Sequence, residues 1–315
     1  MARFVQYAEF GGPEVLRVVD GDVPSAGAAE VVVALRAVGV NPIDGKLRSG
    51  RRASDPLSAP RTPGSDGAGV IAAIGEGVEG WAVGDEVVVT SARGSYATHA
   101  VVPVRGLTRK PASLGWAQGA GIPIPAGTAY QALRSLDVGP GTTVLVHAAS
   151  GSVGQAAVQF ARKLGARVIG TASAANHDRL RQLGAVPVSY GEGLVERVRA
   201  VAPDGVDAAL DAAGTDEAIE ASLELTGDPA RVGTIVRGAD APRWGIHAWG
   251  GGSAVPLTPE QSAWRAEGIR LAVERAAAGE FDVEIARTLP LDRAADAQRM
   301  IEDGSAPRGK IILLP

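Results

Sequence analysis

Cysteine is the residue type whose absence excludes most in this sequence. None of the 315 residues is a cysteine, so disulfide bonds and thiolate chemistry are both excluded. No apolar run reaches the roughly 18 residues of a membrane-spanning helix, and no basic run indicates a nucleic-acid partner. The N-terminus enters a strand-like segment directly and shows no signal peptide. We therefore expect a cytoplasmic protein that binds neither nucleic acid nor a membrane.

Histidines are few, and their spacing indicates no metal site. The chain has four of them, His99, His147, His177 and His247, and no two are paired at ligand spacing. Zinc normally needs three or four nitrogen, sulfur or oxygen ligands that converge on one ion. We therefore expect no bound metal. His147 follows a short apolar run and is predicted to be structural.

The most informative segment, residues 144–173, is typical of a strand, a turn, a helix and a second strand. Its first three residues form an apolar run, as in a strand buried on both faces. The turn has the G-x-G-x-x-G pattern with alanine at the first glycine: Ala149-Ser150-Gly151-Ser152-Val153-Gly154. Gly151 would let the backbone approach a pyrophosphate, and Gly154 would let a helix over 153–164 pack on the strand. A phosphate would sit on the free N–H groups at the helix start. The alternative is a tight turn that binds nothing.

The residues after the second strand indicate which dinucleotide binds. An NAD-binding unit usually has an acidic residue there, about 20 residues past the motif, whereas this chain has Gly170-Thr171-Ala172-Ser173. No carboxylate would repel a 2′-phosphate, and Ser173 can donate to it. His177, Arg179 or Arg181 could add positive charge. We therefore predict NADPH as the cofactor in preference to NADH. The alternative is that the three basic residues form a solvated helix face.

The sequence changes in character after about residue 115. Short β-prone segments separated by glycine turns precede that point and predict a barrel-like β domain. From residue 141 onward, strands alternate with helices, which predicts a parallel sheet covered by helices. Within this region we expect strands at 186–188 and 232–236 and helices at 194–201 and 261–278. A length of 315 residues is sufficient for about two domains.

Several short motifs along the chain carry a family resemblance. They are Gly39-Val40-Asn41-Pro42-Ile43-Asp44, Pro63-Gly64-Ser65-Asp66-Gly67-Ala68-Gly69-Val70, Val83-Gly84-Asp85-Glu86-Val87, Gly127-Thr128-Ala129-Tyr130, residues 147–154, and Arg308-Gly309-Lys310-Ile311. Together they resemble the medium-chain dehydrogenase/reductase superfamily, in particular its zinc-free NADPH:quinone oxidoreductase branch. The resemblance implies an α/β chain with two domains. A GroES-like β-barrel domain would comprise 1–118 and 260–315, and a Rossmann doubly wound parallel-sheet domain would comprise 119–259.

The same resemblance implies the site residues. Asn41 and Thr128 would be catalytic, with the Asn41 amide polarising a substrate carbonyl. Zinc relatives have cysteine where Asn41 stands and histidine where Ser65 stands. The implied cofactor-binding residues are Ser150, Gly151, Ser152, Val153 and Gly154 at the pyrophosphate, and Ser173, His177 and Tyr190 around the adenosine phosphate. Two alternatives stay open: Asn41 caps the turn before its proline, and Tyr190 is a half-buried packing ring.

The implied function is zinc-independent transfer of a hydride from NADPH to a quinone or an α,β-unsaturated carbonyl. The alternative is a cofactor-binding redox sensor or scaffold with little turnover, and the missing ligands disfavour a zinc alcohol dehydrogenase. His177 stands where these reductases often have lysine. Because histidine is largely neutral at pH 7, phosphate binding is expected to weaken as the pH rises.

Lys46 and Arg52 stand where such reductases often have aromatic rings that sandwich a flat quinone. They either select an anionic or acyl-derived enone or are exposed barrel residues. A homodimer is also expected, because the last strand of a Rossmann sheet is an edge that can pair with its two-fold mate. The candidate edges are 232–236 and 247–252. The glycine-rich segment 245–252 could equally be a loop.

Overall fold

The computed structural model describes residues 1–52, 54–250, 253 and 255–315. The chain forms two compact units. The first unit contains both ends of the chain, Met1–Ile124 and Ile269–Pro315, and the second is Pro125–Gly268. The domain limits expected from the sequence, 119–259 for the Rossmann domain, stay a prediction.

Both strands and helices occur along the whole chain. The strands are β1 (Ala2–Gln6), β2 (Arg17–Gly21), β3 (Glu30–Gly39), β4 (Gly67–Ile74), β5 (Glu86–Val89), β6 (His99–Pro103), β7 (Leu107–Arg109), β8 (Thr143–Val146), β9 (Arg167–Thr171), β10 (Val186–Val188), β11 (Ala208–Asp211), β12 (Val232–Thr234), β13 (His247–Ala248), β14 (Ile285–Pro290) and β15 (Lys310–Leu314). The helices are α1 (Pro42–Arg48), α2 (Trp116–Gly121), α3 (Pro123–Ser135), α4 (Ser152–Lys163), α5 (His177–Gln182), α6 (Leu194–Val201), α7 (Asp216–Thr226), α8 (Ala241–Trp244), α9 (Pro259–Ala277) and α10 (Ala294–Glu302). No helix in this described part of the chain is long and apolar enough to cross a membrane.

The first unit is built on a mainly antiparallel sheet. Its strand order is β14-β15-β3-β4-β5-β7, and β6 also pairs with β3. The pair β14–β15 is parallel, whereas β3 pairs antiparallel with β15, β4 and β6. A separate antiparallel pair is formed by β1 and β2. Aliphatic side chains such as Val31, Val33, Val87 and Val89 fill the core. The last strand of the chain therefore completes a sheet that the first hundred residues begin.

The second unit has a six-stranded parallel sheet in the order β10-β9-β8-β11-β12-β13. Its strand pairs are parallel, as the alternation of strands and helices predicted. Counted along the chain, this is the third, second, first, fourth, fifth and sixth strand, the doubly wound order. Ligands of such sheets bind beyond the carboxyl ends of the strands where the order reverses. The reversal lies between β8 and β11, so the turn after β8 lies at that point.

The helix after this turn forms where its sequence predicts it. α4 begins at Ser152, close to the expected residue 153, and ends at Lys163. Gly165 follows with φ +86°, in the left-handed region that glycine adopts without a Cβ penalty. The face formed by Ala157, Phe160 and Ala161 is buried. Apolar spacing and the glycine after the last turn were sufficient to predict the helix and its end.

A short helix that we did not predict follows β3. α1 begins at Pro42, directly after its N-cap residue Asn41. The Asn41 backbone N–H donates to Asp44 Oδ2 at 2.9 Å, one half of a capping box. Proline is well suited to the first position of a helix because its missing N–H needs no partner there. Pro42 thus ends the strand, as expected, and also begins a helix.

One of the two candidate edge strands is wrong. β12 forms the first three residues of the 232–236 candidate and pairs with β11 on one side and β13 on the other, so its backbone groups are already bonded. β13, at residues 247 and 248, is the last strand in the sheet order. It belongs to the other candidate, 247–252, of which Gly251 and Gly252 lie outside the described residues.

Candidate active site

The turn between β8 and α4 brings the helix very close to the strand end. A Cβ added at Gly154 would lie 2.3 Å from Ala148 O and 2.6 Å from Ala149 Cα, so only glycine fits. A Cβ added at Gly151 would lie 3.4 Å from Ala148 O, an ordinary contact. Gly154 is therefore required by the protein's own packing. Gly151 is not, and its missing side chain leaves the exposed face of the turn open to another molecule.

The alanine at the first glycine position of the motif is accommodated by the neighbouring strand. Ala149 is fully buried. A Cβ added at Gly170 in β9 would lie 2.7 Å from the Ala149 Cβ. Gly170 thus leaves the space that the Ala149 methyl group occupies. The turn is tied to the same strand because Ala149 N donates to Thr171 O at 2.9 Å.

Three polar side chains meet beside this turn. Ser150 lies in the turn, Ser173 follows β9, and Asn176 precedes α5. The Asn176 amide nitrogen lies 3.3 Å from Ser150 Oγ and 3.2 Å from Ser173 Oγ. The structure therefore brings together two of the predicted cofactor-binding residues, through a third that the sequence did not indicate. Ser152 and Val153 are half-buried in the first turn of α4.

The three basic residues predicted near the cofactor differ in their surroundings. His177 Nε2 lies 3.4 Å from Ser189 Oγ. Arg179 Nε donates to Gln155 Oε1 on α4 at 2.9 Å. Arg181 pairs with Asp178 at 2.6 Å on the exposed side of α5, so the solvated-face alternative describes it. Tyr190 is 60% exposed, which excludes the half-buried packing ring.

Asn41 is buried in the first unit, and its side chain is engaged at both ends. Its Nδ2 donates to Asp66 Oδ2 at 3.1 Å and to Gly39 O at a longer 3.4 Å. The Lys310 ammonium donates to Asn41 Oδ1. The amide predicted to polarise a substrate is thus held in a buried polar network, and Asn41 also takes the capping position of the alternative prediction.

The network around Asn41 contains two carboxyl groups and one ammonium. Asp66 accepts from Ile124 N at 3.1 Å and Ser65 Oγ at 3.3 Å. Asp44 accepts from Tyr96 Oη at 3.0 Å. Burial raises the pKa of Asp44 to about 7 and also raises the pKa of Asp66. Burial lowers the pKa of Lys310, against the attraction of the two carboxyl groups.

These charged residues were visible in the sequence but were not predicted to interact. Lys310 begins an otherwise apolar strand, and Asp66 stands among small residues before another. A charge in such a place is a signal of a buried partner, because an isolated charge is rarely buried. The signal does not say which partner, since Lys310 and Asn41 are 269 positions apart.

Thr128 belongs to the second unit, where it lies in α3 and is 7% exposed. Its Oγ1 lies 3.4 Å from Arg265 Nη2 on α9. Its hydroxyl therefore has a cationic neighbour. The catalytic role expected for Thr128 stays a prediction.

Lys46 lies in α1 and Arg52 lies four residues after its end. Both stand where related reductases often have aromatic rings. Lys46 is half-buried, and its pKa is lowered first by burial and then by Arg51 and Arg52. The Arg52 backbone N–H donates to Lys46 O at 2.9 Å. These cations therefore lie close together, and Lys46 is half-buried, unlike the exposed barrel residue of one alternative. Within residues 1–52, 54–250, 253 and 255–315, no group of three histidine, aspartate or glutamate side chains could hold a metal ion.

Family models match both units. Residues 27–112 match the alcohol dehydrogenase GroES-like domain, and residues 183–313 match the zinc-binding dehydrogenase domain. Human quinone oxidoreductase is 35% identical over 329 aligned positions, which cover 100% of this chain and 98% of that protein. The chain belongs to the quinone oxidoreductase branch of the medium-chain dehydrogenase/reductase superfamily. The fold predicted from the sequence, a GroES-like domain with a Rossmann-type parallel sheet, is confirmed.

Solved quinone oxidoreductases have the same fold over their whole length. The Escherichia coli quinone oxidoreductase complexed with NADPH superposes with a TM-score of 0.84 at 26% identity, covering 100% of both chains. The Pseudomonas syringae quinone oxidoreductase gives a TM-score of 0.84 at 28% identity, again over 100% of both chains. The polar network around Asn41 and the hydroxyl cluster around Asn176 are thus set in a quinone oxidoreductase fold.

Proposed function

We propose that this protein is an NADPH-dependent oxidoreductase that reduces a quinone or an α,β-unsaturated carbonyl without zinc. The observation that carries the proposal is the unequal pair of glycines after β8. Gly154 is closed off by backbone atoms, whereas Gly151 is open. A glycine at an open position where the protein's own packing does not require it, at the switch point of a doubly wound sheet, fits a bound pyrophosphate. The NADPH complex of the Escherichia coli relative supports the choice of cofactor.

The residues present fit the cofactor at both phosphate groups. Gly151 and the first turn of α4, Ser152 and Val153, would hold the pyrophosphate. Ser173, His177 and Tyr190 would surround the 2′-phosphate. The segment after β9 carries no carboxylate before Asp178, which pairs with Arg181. When bound, the nicotinamide supplies the hydride, and the chain contributes binding and orientation.

Asn41, in the first unit, and Thr128, in the second, each remain proposed as catalytic residues. The Asn41 hydrogen bond to Gly39 O is 3.4 Å long, beyond the ordinary range near 2.9 Å, whereas the bond to Asp66 is 3.1 Å. The Asn41 amide hydrogen that faces Gly39 O is therefore the one that could be donated to a substrate oxygen instead, at a small cost in free energy. Asp66 and Lys310 would keep the amide oriented meanwhile. We also propose a homodimer that pairs through the β13 edge. A cytoplasmic location is the last part of the proposal.

The first experiment is NADPH oxidation by the chelator-treated protein, with quinones and enones tested in parallel and NADH as comparison. We expect turnover that survives chelation and prefers NADPH. The better substrate series would identify the substrate class and show whether Lys46 and Arg52 favour anionic enones. Tight NADPH binding without turnover on any substrate would instead support the sensor or scaffold alternative.

A matched pair of glycine variants tests the cofactor site directly. Gly151→Ala adds a methyl group that the protein itself accommodates, and Gly139→Ala adds one that meets nothing within 4 Å. Both variants should fold like the parent protein. Only Gly151→Ala should weaken NADPH binding, by about tenfold, or ~1.4 kcal/mol. Equal NADPH dissociation constants for the two variants would place the cofactor elsewhere.

A further inference from the structure

Asn176 connects the two turns of the proposed cofactor site, although no sequence motif marks it. It is the N-cap residue of α5, yet its side chain makes no capping hydrogen bond. An asparagine at this position ordinarily accepts a hydrogen bond from the first turn of its own helix. Here the amide nitrogen instead contacts Ser173 Oγ at 3.2 Å and Ser150 Oγ at 3.3 Å. The amide group therefore contacts two hydroxyl groups that lie outside its own helix.

The two serines come from different strands of the sheet. Ser150 follows β8 and Ser173 follows β9, and these strands are parallel neighbours, so their carboxyl ends lie at one edge. The separations along the chain are 26 and 3 positions. One amide group therefore ties together the glycine turn and the segment after the second strand. Those are the places proposed for the pyrophosphate and for the 2′-phosphate.

The direction of these hydrogen bonds decides what the serines can do. A side-chain amide nitrogen only donates, so both serine oxygens accept from Asn176. A hydroxyl that accepts still has its own hydrogen to donate. Both hydroxyl hydrogens can then be donated to another acceptor, and a phosphate oxygen is an acceptor that carries charge. A carboxylate in place of the amide would reverse the polarity, because the hydroxyls would donate to it instead.

We propose that Asn176 is a positioning residue for cofactor specificity, which sets Ser150 and Ser173 as hydrogen-bond donors to the phosphates of NADPH. The inference rests on the proposed function and adds a residue to it. The neighbouring carboxylate does not oppose an anionic ligand, because it is neutralised by an arginine. His177 contacts Ser189 beside the cluster, and the carboxylate of Asp178 is paired with Arg181.

Two variants of Asn176 separate the effects of donor loss and donor reversal. Asn176→Ala removes the amide, and Asn176→Asp keeps its shape while replacing the donor by an acceptor. Gln182→Glu is the matched control, because it adds a negative charge at an exposed position of the same helix. Dissociation constants are measured for NADPH, NADH and 2′,5′-ADP with the full-length protein. Ser173→Ala and the double variant Asn176→Ala/Ser173→Ala complete a double-mutant cycle.

We expect NADPH and 2′,5′-ADP to bind about tenfold more weakly to Asn176→Ala, the scale of a hydrogen bond to a charged group, and still more weakly to Asn176→Asp. NADH should be affected less, and Gln182→Glu should bind all three like the parent. In the Ser173→Ala background, Asn176→Ala should have a smaller effect, since it acts through that hydroxyl. If Asn176→Ala does not fold, Asn176→Asp, which has the same shape, provides the same comparison with the control.

Several outcomes would overturn the inference. Unchanged NADPH binding in both Asn176 variants of a parent protein that prefers NADPH would leave the proposed function intact and refute the role of Asn176. Additive effects in the double-mutant cycle would show that Asn176 does not act through Ser173. Equal losses for NADPH and NADH would indicate a purely structural residue. A parent protein that binds neither NADPH nor 2′,5′-ADP would refute the proposed function and this inference together.

Discussion

The two units bury polar groups in opposite ways. The first unit places formal charges in its interior, Asp44, Asp66 and Lys310, and joins them through Asn41. The second unit buries His147 between two hydroxyls: its Nε2 lies 3.1 Å from Ser222 Oγ and its Nδ1 lies 3.3 Å from Thr171 Oγ1. Burial lowers the pKa of His147 to about 4, so the ring is neutral near pH 7.

The buried carboxylate of the second unit shows the same contrast. Asp211 accepts from the backbone N–H groups of Ala213 and Gly214 at 2.9 and 2.8 Å, and from Thr234 Oγ1 at 2.6 Å. These neutral donors come from its own turn and from the neighbouring strand. Asp66 also accepts from neutral donors, but one of them, Asn41, is bonded in turn to the Lys310 ammonium of the last strand. The first unit's network therefore reaches across 269 positions to the last strand, whereas the contacts of Asp211 span at most 23.

Among the changes that test this comparison, removal of the Lys310 ammonium should lower the stability of the protein most. Lys310→Met keeps most of the apolar stem but leaves Asn41 Oδ1 without its donor and removes the positive charge that attracts Asp66 and Asp44. We expect a loss of about 2–3 kcal/mol in the free energy of unfolding, because a buried acceptor loses its charged donor. Urea unfolding measures it.

The control for Lys310→Met is an ion pair on the surface. Arg270→Ala removes a pair with Glu274 in which both side chains are 54% exposed, and should cost less than about 1 kcal/mol. Equal stabilities of Lys310→Met and Arg270→Ala would show that the buried network is not held by charge.

The neutral histidine should make the protein less stable in acid. The pKa of His147 is below its unfolded value, so the folded state binds fewer protons between about pH 6.5 and 4. Stability should fall by up to ~1.4 kcal/mol per pH unit as the pH drops through this window. His147→Gln, which can still bond both hydroxyls, should abolish that loss in pH-dependent unfolding measurements. An unchanged acid slope in the variant would mean that His147 is not the group responsible.

Asp44 should make stability depend on pH with the opposite sign and a smaller slope. Its pKa is raised by burial to about 7, so its contribution to stability is present at low pH and is lost as the pH rises toward 7. The slope is shallower because Asp66 and Lys310 titrate with it. Asp44→Asn should remove this loss and leave the His147 slope fully visible. A variant that becomes less stable relative to the parent as the pH rises would contradict the raised pKa.

Local sequence signals predicted most of the second unit. Residues 186–188 and 194–201 form the expected strand and helix, and the turn motif lies between β8 and α4 as its glycines indicate. Each of these signals acts within a few residues along the chain. The expectation that 232–236 lies at the sheet edge was wrong. Strand neighbours are set by pairing across the sheet, which hydrophobic spacing does not encode.

The amino-acid sequence by itself determined the family, the two-unit organisation of a β-rich part and a parallel α/β part, and the glycine turn with its missing acidic partner. The family follows from the resemblance of short motifs, and the other features follow from periodicity and backbone freedom, which are local properties. Only the tertiary structure decided that Lys310 reaches Asn41 across 269 positions and that Asn176 joins Ser150 to Ser173. A hydrogen bond depends on where the fold brings two side chains together. Polar groups of the right chemistry can be recognised in the sequence before their partners can.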